Sequence, residues 1–233
     1  MRLDVADLQA WYGPAQVLFG IALHVEPGEV VALLGRNGAG KSTMLKAVMG
    51  LVERTGSVRL GGRDLSRAAT HDIARAGLGY VPEDRRIFTD LTVAENLAVG
   101  RRPPRDGVAA WTPERLFQLF PNLAALSGRR GGQMSGGEQQ MLTIARTLMG
   151  QPALLLLDEP SEGLAPRIVG EMAEAVLPLK RQGVGVLVSE QALGFARRVA
   201  DRAVVIERGR VVFTGGFDAL DAEPSLRDAH LAV

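Results

Sequence analysis

The stretch "GRNGAGKST", from Gly35 to Thr43, constrains the fold of this chain more than any other feature. It follows a nearly continuous apolar run, Glu29 to Leu34, and precedes a segment of helical periodicity that closes at Gly50. A continuous apolar run is typical of a strand buried on both faces. The order strand, glycine-rich loop, helix therefore predicts the start of an α/β unit.

The same stretch fits the pattern G-x-x-x-x-G-K-[ST] of a phosphate-binding loop. Glycines let backbone N–H groups curl around phosphate oxygens, and the start of the following helix adds its positive dipole end. We expect Lys41 to reach the β and γ phosphates and Ser42 to hold Mg²⁺. A glycine-rich turn before a helix is the alternative interpretation. The candidate nucleotide-binding residues are Gly35, Asn37, Gly38, Ala39, Gly40, Lys41, Ser42 and Thr43.

A second candidate site ends the run "LLLLDEP", from Leu154 to Pro160. An apolar strand that delivers Asp158 at its carboxyl end is how phosphate-loop enzymes place a carboxylate near Mg²⁺. Glu159, the next residue, is a candidate general base for an attacking water. A strand that ends in a polar turn looks similar in isolation, but its position after the glycine-rich loop favours hydrolysis.

Composition narrows the class of protein. A chain of 233 residues that is 46% hydrophobic suits one large domain or two small ones, and we expect it to be globular and soluble. The formal charge of +1 gives no electrostatic case for nucleic acid. The absence of cysteine excludes disulfides and thiolate metal sites. The sequence shows neither a signal peptide nor an apolar run of about 18 residues, so a membrane role would require docking to another subunit.

The order of elements predicts an α/β fold with a helical insertion. From Pro82 to Gln133 the sequence leans towards helix, and Thr112 followed by Pro113 is a good helix start. Strands and helices then alternate again, and the chain closes with a hairpin. The predicted later elements are strands 153–157 and 184–188, helices 166–181 and 191–200, and hairpin strands 202–207 and 210–214.

The stretch "SGGEQQ", from Ser135 to Gln140, precedes a predicted helix that runs from Met141 to Met149. Ser135 and Glu138 fit a capping box. That interpretation does not explain Gly136 and Gly137, because glycines weaken the first turn of a helix. Glycines there let a phosphate approach the helix start closely, which predicts a second anion site.

These three motifs, in this order, resemble those of the ATP-binding subunits of ABC transporters, over nearly the whole chain. The resemblance implies a single domain, 1–233, with a phosphate-loop core, an antiparallel β subdomain and a helical subdomain at about 83–148. It implies ATP and Mg²⁺ as cofactors and two cassettes paired head to tail. Each ATP would then lie between one phosphate loop and the partner's helix start. The helix-start residues implied to bind it are Ser135, Gly136, Gly137 and Gln139.

The family pattern also assigns single positions. Tyr12 matches the aromatic residue that stacks on adenine, although plain packing is the alternative, and the loop from Ser161 to Ala165 would meet the other cassette. Two positions depart from the usual pattern, with Glu83 in place of glutamine and Gln191 in place of histidine. Glu83 still offers oxygens to Mg²⁺. Gln191 can donate a hydrogen bond to the γ-phosphate but cannot carry a proton.

Four stretches, "GYVPEDRRIF", "LTVAENL", "GGQMSGGEQQM" and "DEPSEGLAP", resemble the branch of branched-chain amino acid importers. Urea and amide importers carry very similar cassettes. The resemblance implies two transmembrane permease subunits and a second ATP-binding subunit as partners, with an extracytoplasmic solute-binding protein that acts on this chain indirectly. It also implies a peripheral location on the cytoplasmic face of the inner membrane. Asp84 to Phe88 would begin the surface that meets the permease, although Arg85 and Arg86 also suit ordinary solvated charges.

Three alternatives stay open at this point. A soluble cassette ATPase of DNA repair or translation would share the motifs, but no second cassette or coiled-coil arm is visible. A phosphate-loop kinase would account for Lys41 and leave Ser135 to Gln140 unexplained. The third alternative is a cassette that binds ATP without hydrolysing it, because Gln191 stands where most cassettes have histidine.

Overall fold

The computed structural model describes residues 1–105 and 107–223. Its strands are β1 Leu3–Tyr12, β2 Ala15–Val25, β3 Val30–Leu34, β4 Glu53–Leu60, β5 Arg63–Asp64, β6 Leu78–Val81, β7 Leu154–Asp158, β8 Gly185–Glu190, β9 Arg202–Glu207 and β10 Arg210–Gly215. Its helices are α1 Lys41–Val48, α2 Thr70–Ala76, α3 Val93–Gly100, α4 Pro113–Leu119, α5 Pro121–Ala125, α6 Gly136–Leu148, α7 Pro166–Arg181, α8 Leu193–Val199 and α9 Phe217–Asp221.

The larger sheet has the strand order β10-β9-β3-β8-β7-β6. Its strands from β9 to β6 are parallel, and β10 closes one edge as the antiparallel arm of a hairpin with β9. All five residues of β3 are buried, as a strand covered on both faces requires. Because β3, β8 and β7 are neighbours, their carboxyl ends meet at one edge, and the glycine-rich loop leaves β3 at that edge.

The two faces of this sheet carry separate apolar cores. Along β3, Val31 and Leu33 pack with α1 and the smaller sheet, whereas Val30, Ala32 and Leu34 pack with the helices of the opposite face. This alternation is the period of two that any strand imposes on its side chains. The smaller sheet is antiparallel, with the order β2-β1-β4-β5.

The predicted helical insertion lies between β6 and β7 and contains α3 to α6. Thr92 and Ser135 each close a capping box at the start of α3 and α6. Gln151 is buried and holds the backbone of Trp111 on both sides, accepting from its N–H at 2.8 Å and donating to its carbonyl at 2.9 Å. These contacts join the insertion to the sheet at the start of β7. None of the helices described in residues 1–105 and 107–223 is long and apolar enough to cross a membrane.

Candidate nucleotide site

The glycine-rich loop connects β3 to α1 at the carboxyl edge of the larger sheet. Gly35 lies against the β9 backbone, where a Cβ atom would stand 2.4 Å from the carbonyl oxygen of Ile206. Gly40 precedes α1 with a left-handed backbone, φ 111°, and no side chain caps the helix. The first N–H groups of α1 therefore stay available to an anion at the loop.

Lys41 is folded back over this loop. Its Nζ donates to the carbonyl of Gly35 at 2.9 Å and to that of Arg36 at 3.2 Å. It also lies 3.0 Å from Oε1 of Glu159, and the two side chains are only 3% and 8% exposed. A buried cation at the centre of a backbone loop is placed to bind phosphate oxygens.

Asp158 receives hydrogen bonds from three neighbouring elements. Its Oδ1 accepts from Ser42 at 2.9 Å and from Ser189 at 2.8 Å, and its Oδ2 accepts from the hydroxyl of Tyr80 at 3.0 Å. Burial, together with the charge of Asp158 and this hydrogen bond, raises the pKa of Tyr80 above its usual range. The carboxylate is 1% exposed and held rigidly beside the hydroxyl of Ser42.

Glu159 follows β7 with a left-handed backbone, φ 44°, which is costly for a residue with a side chain. Its N–H donates to the side-chain and carbonyl oxygens of Ser189 at 3.0 and 3.1 Å. Gln191 donates to Glu159 Oε2 at 2.7 Å. Burial alone would raise the pKa of Glu159, but hydrogen bonds with Glu162, Gln191 and Lys41 outweigh it and lower the pKa below its ordinary value. The side chain is therefore an anion at neutral pH.

Lys41, Ser42 and Glu159 line a cavity of about 530 Å³. Glu83, Glu159 and Glu162 line it together with the loop residues, and an opening of this size suits the phosphates of a nucleotide. Tyr12 ends β1 with 47% of its surface exposed, which leaves the ring available for stacking. The lining residues from the loop are Asn37, Gly38, Gly40, Lys41, Ser42 and Thr43.

The oxygens in the cavity fit Mg²⁺. Ser42 and Asp158 are in contact, and Glu83 lines the same cavity. Hydroxyl and carboxylate oxygens are the ligands that Mg²⁺ prefers, usually one or two from the protein with phosphates and waters completing the shell. Within the described part of the chain, no group of three or more His, Cys, Asp or Glu side chains forms a metal cage.

The helix start at Ser135 lies apart from the cavity, because none of Ser135, Gly136, Gly137 or Gln139 lines it. Gln139 is occupied within its own chain, since its amide donates to the carbonyls of Gly131 and Met134 at 3.1 and 3.2 Å. The structure also adds a second reason for Gly137.

A Cβ atom at Gly137 would stand 2.7 Å from Ile168 of α7. A Cβ atom at Gly136 would stand 2.8 Å from the guanidinium of Arg85. Packing against Ile168 thus favours a small residue at position 137, whereas the flexible end of the Arg85 side chain could shift to admit a Cβ atom at position 136. Arg85 differs from Arg86, which is exposed and pairs with Asp84 at 2.8 Å.

The sequence patterns did not identify four residues of the site as candidates: Tyr80, Glu162, Ser189 and Glu190. Tyr80 and Ser189 contact Asp158 because β6 and β8 flank β7, a neighbourhood that no local spacing reveals. Glu162 hydrogen-bonds with Glu159. That hydrogen bond, burial, and the charges of Glu159 and Glu83 raise the pKa of Glu162 to about 7.

A glycine-rich loop between a parallel strand and a helix, with an acid pair at the end of a neighbouring strand, defines a phosphate-loop nucleotide-binding protein. The comparisons with known proteins narrow this class. A family model described as "ABC transporter" matches residues 18–162. The chain belongs to this family.

Curated relatives match along nearly their full length. The chain is 44% identical over 230 residues to "High-affinity branched-chain amino acid transport ATP-binding protein BraG" of Pseudomonas aeruginosa, covering 98% of this chain and 99% of that protein. It is 33% identical over 216 residues to "Lipopolysaccharide export system ATP-binding protein LptB" of Haemophilus influenzae, covering 91% and 90%. It is 32% identical over 220 residues to "Probable branched-chain amino acid transport ATP-binding protein LivF" of Archaeoglobus fulgidus, covering 91% of each.

Solved structures agree with the fold. "Structure of ATP binding subunit of ABC transporter" superposes with a TM-score of 0.82 at 31% identity, covering 99% of this chain and 96% of that chain. A nucleotide-free ATP-binding cassette from an ABC transporter superposes with a TM-score of 0.82 at 26% identity, covering 97% and 96%. The predicted phosphate-loop core with a β subdomain and a helical insertion is therefore confirmed.

Proposed function

We propose that this chain is the ATP-hydrolysing subunit of a membrane ABC importer for branched-chain amino acids. One observation carries the enzymatic part of the proposal. Glu159 is held as an anion by Gln191 and Lys41 at the mouth of the phosphate-loop cavity. The solute is inferred from the likeness to BraG alone.

In the proposed reaction the loop N–H groups and Lys41 bind the β and γ phosphates, and Glu159 polarises the attacking water as general base. Gln191 orients the Glu159 carboxylate and can turn its amide to the γ-phosphate. When bound, Mg²⁺ at Ser42, Asp158 and Glu83 supplies positive charge that offsets charge on the phosphates. Because Glu159 must leave Lys41 to act on water, phosphate binding at Lys41 releases the base.

A second ATP-binding subunit completes the site in this proposal. The residues from Ser135 to Gln139 do not line the phosphate-loop cavity, and this proposal assigns them to a nucleotide held by another molecule. Head-to-tail pairing of two cassettes brings each helix start to the partner's cavity. ATP binding then closes the pair and hydrolysis reopens it, and the difference in binding free energy between the closed and open pair shifts the transporter.

A groove between the sheet and the insertion supports docking to the permease subunits. It has a volume of about 380 Å³ and is lined mainly by apolar surface, including Phe88, Val99 and the stem of Arg146. Phe88 and Val99 are 47% and 57% exposed, which is unusual for large apolar side chains that lie close together. The loop that carries Glu83 enters this groove at Phe88. Such docking would place the chain on the cytoplasmic face of the inner membrane, where the solute-binding protein acts on it only indirectly.

Phosphate release and solute uptake test the proposal. The chain, co-purified with the permease subunits and placed in proteoliposomes, is expected to hydrolyse ATP and to take up leucine. Glu159→Gln is expected to retain ATP binding and to lower turnover by about 100-fold or more, because the water loses its base. Substantial hydrolysis by Glu159→Gln would refute the role of Glu159. Uptake of urea or an amide instead of leucine would refute the solute assignment, and co-purification with ribosomes or DNA would refute transport.

A further inference from the structure

Two consecutive residues, Glu190 at the end of β8 and Gln191 just after it, hold the chain on both sides of Pro160. Gln191 donates to Glu159, which precedes Pro160. Glu190 accepts from Ser161, which follows it, with Oε1 taking the N–H at 3.1 Å and Oε2 taking the hydroxyl at 2.8 Å. Both carboxylate oxygens of Glu190 are thus used by a single residue.

Burial of the ionised Glu190 side chain costs free energy. The side chain is 2% exposed, and no ion pair with it occurs among residues 1–105 and 107–223. An ionised carboxylate without a cationic partner in such a place costs free energy. Burial and the charge of Glu159 raise the pKa of Glu190 to about 7, against the opposing hydrogen bonds from Ser161. The fold gains little from a glutamate here, which points to a role in the reaction.

Ser161 begins the loop of residues 161–165 that follows the acid pair. The loop is a tight turn, in which the N–H of Glu162 donates to the carbonyl of Glu159 at 3.2 Å and the N–H of Leu164 donates to the carbonyl of Ser161 at 3.3 Å. Glu162 in turn lines the nucleotide cavity. Rotation of the chain at Ser161 would therefore move both the loop and a cavity wall.

We propose that Glu190 is a positioning residue that acts through Ser161 to fix the loop of residues 161–165 relative to Glu159. Because Gln191 directly follows Glu190, the last residue of β8, a shift of Gln191 towards the γ-phosphate also shifts the anchor of this loop. The loop faces the second cassette in the proposed assembly. The inference rests on the proposed function, and it adds a direct mechanical link from the γ-phosphate contact to that interface.

A double-mutant cycle on the full-length chain in its permease complex tests this link. Glu190→Ala and Ser161→Ala are each expected to lower kcat by about 10-fold, because the loop and base lose their relative placement, while the Kd for ATP changes by less than about 2-fold. The double variant is expected to match Glu190→Ala, because both changes remove the same contact. Ser161→Thr keeps a hydroxyl and is expected to keep most of the wild-type kcat.

Glu29→Gln is the matched control for a general loss of stability. Glu29 is 17% exposed and forms an ion pair with Arg202, 2.7 Å apart, at the amino end of β3 and away from the cavity. It is expected to lower the melting temperature without changing kcat. If Glu190→Ala does not fold, Glu190→Gln keeps the shape and one acceptor oxygen, and an intermediate kcat is expected.

Two outcomes would overturn the inference while leaving the proposed function intact. In the first, the wild-type complex hydrolyses ATP and the Glu190 and Ser161 variants have the same kcat as the wild type. The other is a double variant whose loss equals the product of the two single losses, which would mean that the residues act independently. A wild-type complex without ATPase activity would instead count against the proposed function itself.

Discussion

Glu159 and Glu162 share one hydrogen bond in the cavity, and their pKa values move in opposite directions. Two carboxyl groups can hydrogen-bond only if one of them keeps a proton. The pKa of Glu162 is raised to about 7, with this hydrogen bond as its largest cause, whereas that of Glu159 is lowered. Glu162 therefore holds the proton, and Glu159 stays anionic as a general base must.

This pair predicts a pH dependence of hydrolysis. Below about pH 7 the protonated Glu162 donates to Glu159 and weakens it as a base; above that value the donor is lost. We expect kcat/KM to rise several-fold between about pH 6 and 8.5, and Glu162→Ala to flatten much of that rise. Steady-state assays of both proteins measure it, with the exposed Glu174→Ala on α7 as control. An unchanged rise in Glu162→Ala would assign the titration to another group, such as Glu190.

Glu190 predicts a pH dependence of stability. The pKa of this carboxyl is raised from 4.5 to about 7 in the fold, so ionisation is penalised by at most about 3 kcal/mol. The penalty is absent below about pH 4.5 and complete above about pH 7. Glu190→Gln is therefore expected to raise the free energy of unfolding by about 1 to 3 kcal/mol at pH 8 and hardly at pH 5. Urea denaturation at the two pH values measures this, and equal effects at both would contradict it.

The sequence predicted which chemically reactive residues meet, but not what holds them. Lys41, Ser42, Asp158 and Glu159 were expected to lie together because a motif fixes each one relative to a strand end, and the structure brings them together. The contacts of Ser189 depend on β8 lying beside β7, a long-range pairing that no spacing encodes.

Among the elements, those with strong local patterns were the most predictable. Helix α7 has the predicted bounds, and β3 differs by one residue, because their apolar periodicity is clear. No prediction covered residues 51–77, where the structure has β4, β5 and α2. The pattern of β4 is broken at Gly56, where a Cβ atom would stand 2.2 Å from the carbonyl oxygen of Asp7 in the bulged partner strand β1. Its strand character thus depends on that distant pairing.

The loop after β6 is strained and is held by α6. Arg85 and Arg86 both have left-handed backbones, with φ 62° and 49°. Thr143 donates its hydroxyl to the carbonyl of Arg85 at 2.8 Å, and Arg146 donates to that of Arg86 at 2.6 Å. Helix α6 therefore fixes the loop that carries Glu83, so motion of one element moves the other.

In the loop after β6, Glu83→Ala is expected to lower the rate of transport-coupled ATP hydrolysis more than the affinity for ATP. The side chain lines the cavity beside the glycine-rich loop, whose backbone N–H groups and Lys41 are proposed to bind phosphate without it. We expect transport-coupled kcat to fall by about 10-fold and the Kd for ATP to change by less than about 3-fold. Assays of the reconstituted complex measure the first and fluorescent-nucleotide titration the second, with the exposed Glu53→Ala of β4 as control. Equal loss of both would mean that this loop is only scaffolding.

At the scale of the whole molecule, the nucleotide site and the apolar groove are joined by a short path. Glu83 lines the cavity, and Phe88, five residues later, lines the groove between the sheet and the insertion. Such proximity lets a change at the phosphates reach a docked subunit without refolding either core. Separate apolar cores pack on the two faces of β3, so we expect the larger sheet to stay rigid while the loop between Glu83 and Phe88 moves.

The groove gives a prediction for assembly. Phe88→Asp and Val99→Asp each place a charge on an apolar surface that is proposed to be buried in the complex, and burial of an unpaired charge is costly. We expect co-purification with the permease subunits to fall by about 10-fold or more while ATP binding is kept. Val212→Asp on β10, where the side chain is also partly exposed, is the control. Complexes that survive both groove substitutions would place the docking surface elsewhere.

In the ion pair between Lys41 and Glu159, the carboxylate occupies the amine that a phosphate of ATP is proposed to bind. Glu159 therefore competes with ATP for Lys41. An arriving phosphate must displace a carboxylate tethered to the same chain, so the measured affinity for ATP is the net of two rival anions at one amine. Glu159→Gln should then bind ATP more tightly than the wild type, and not merely as well. A weaker net affinity of this kind would make the occupancy of the site fall sooner as the ATP concentration drops.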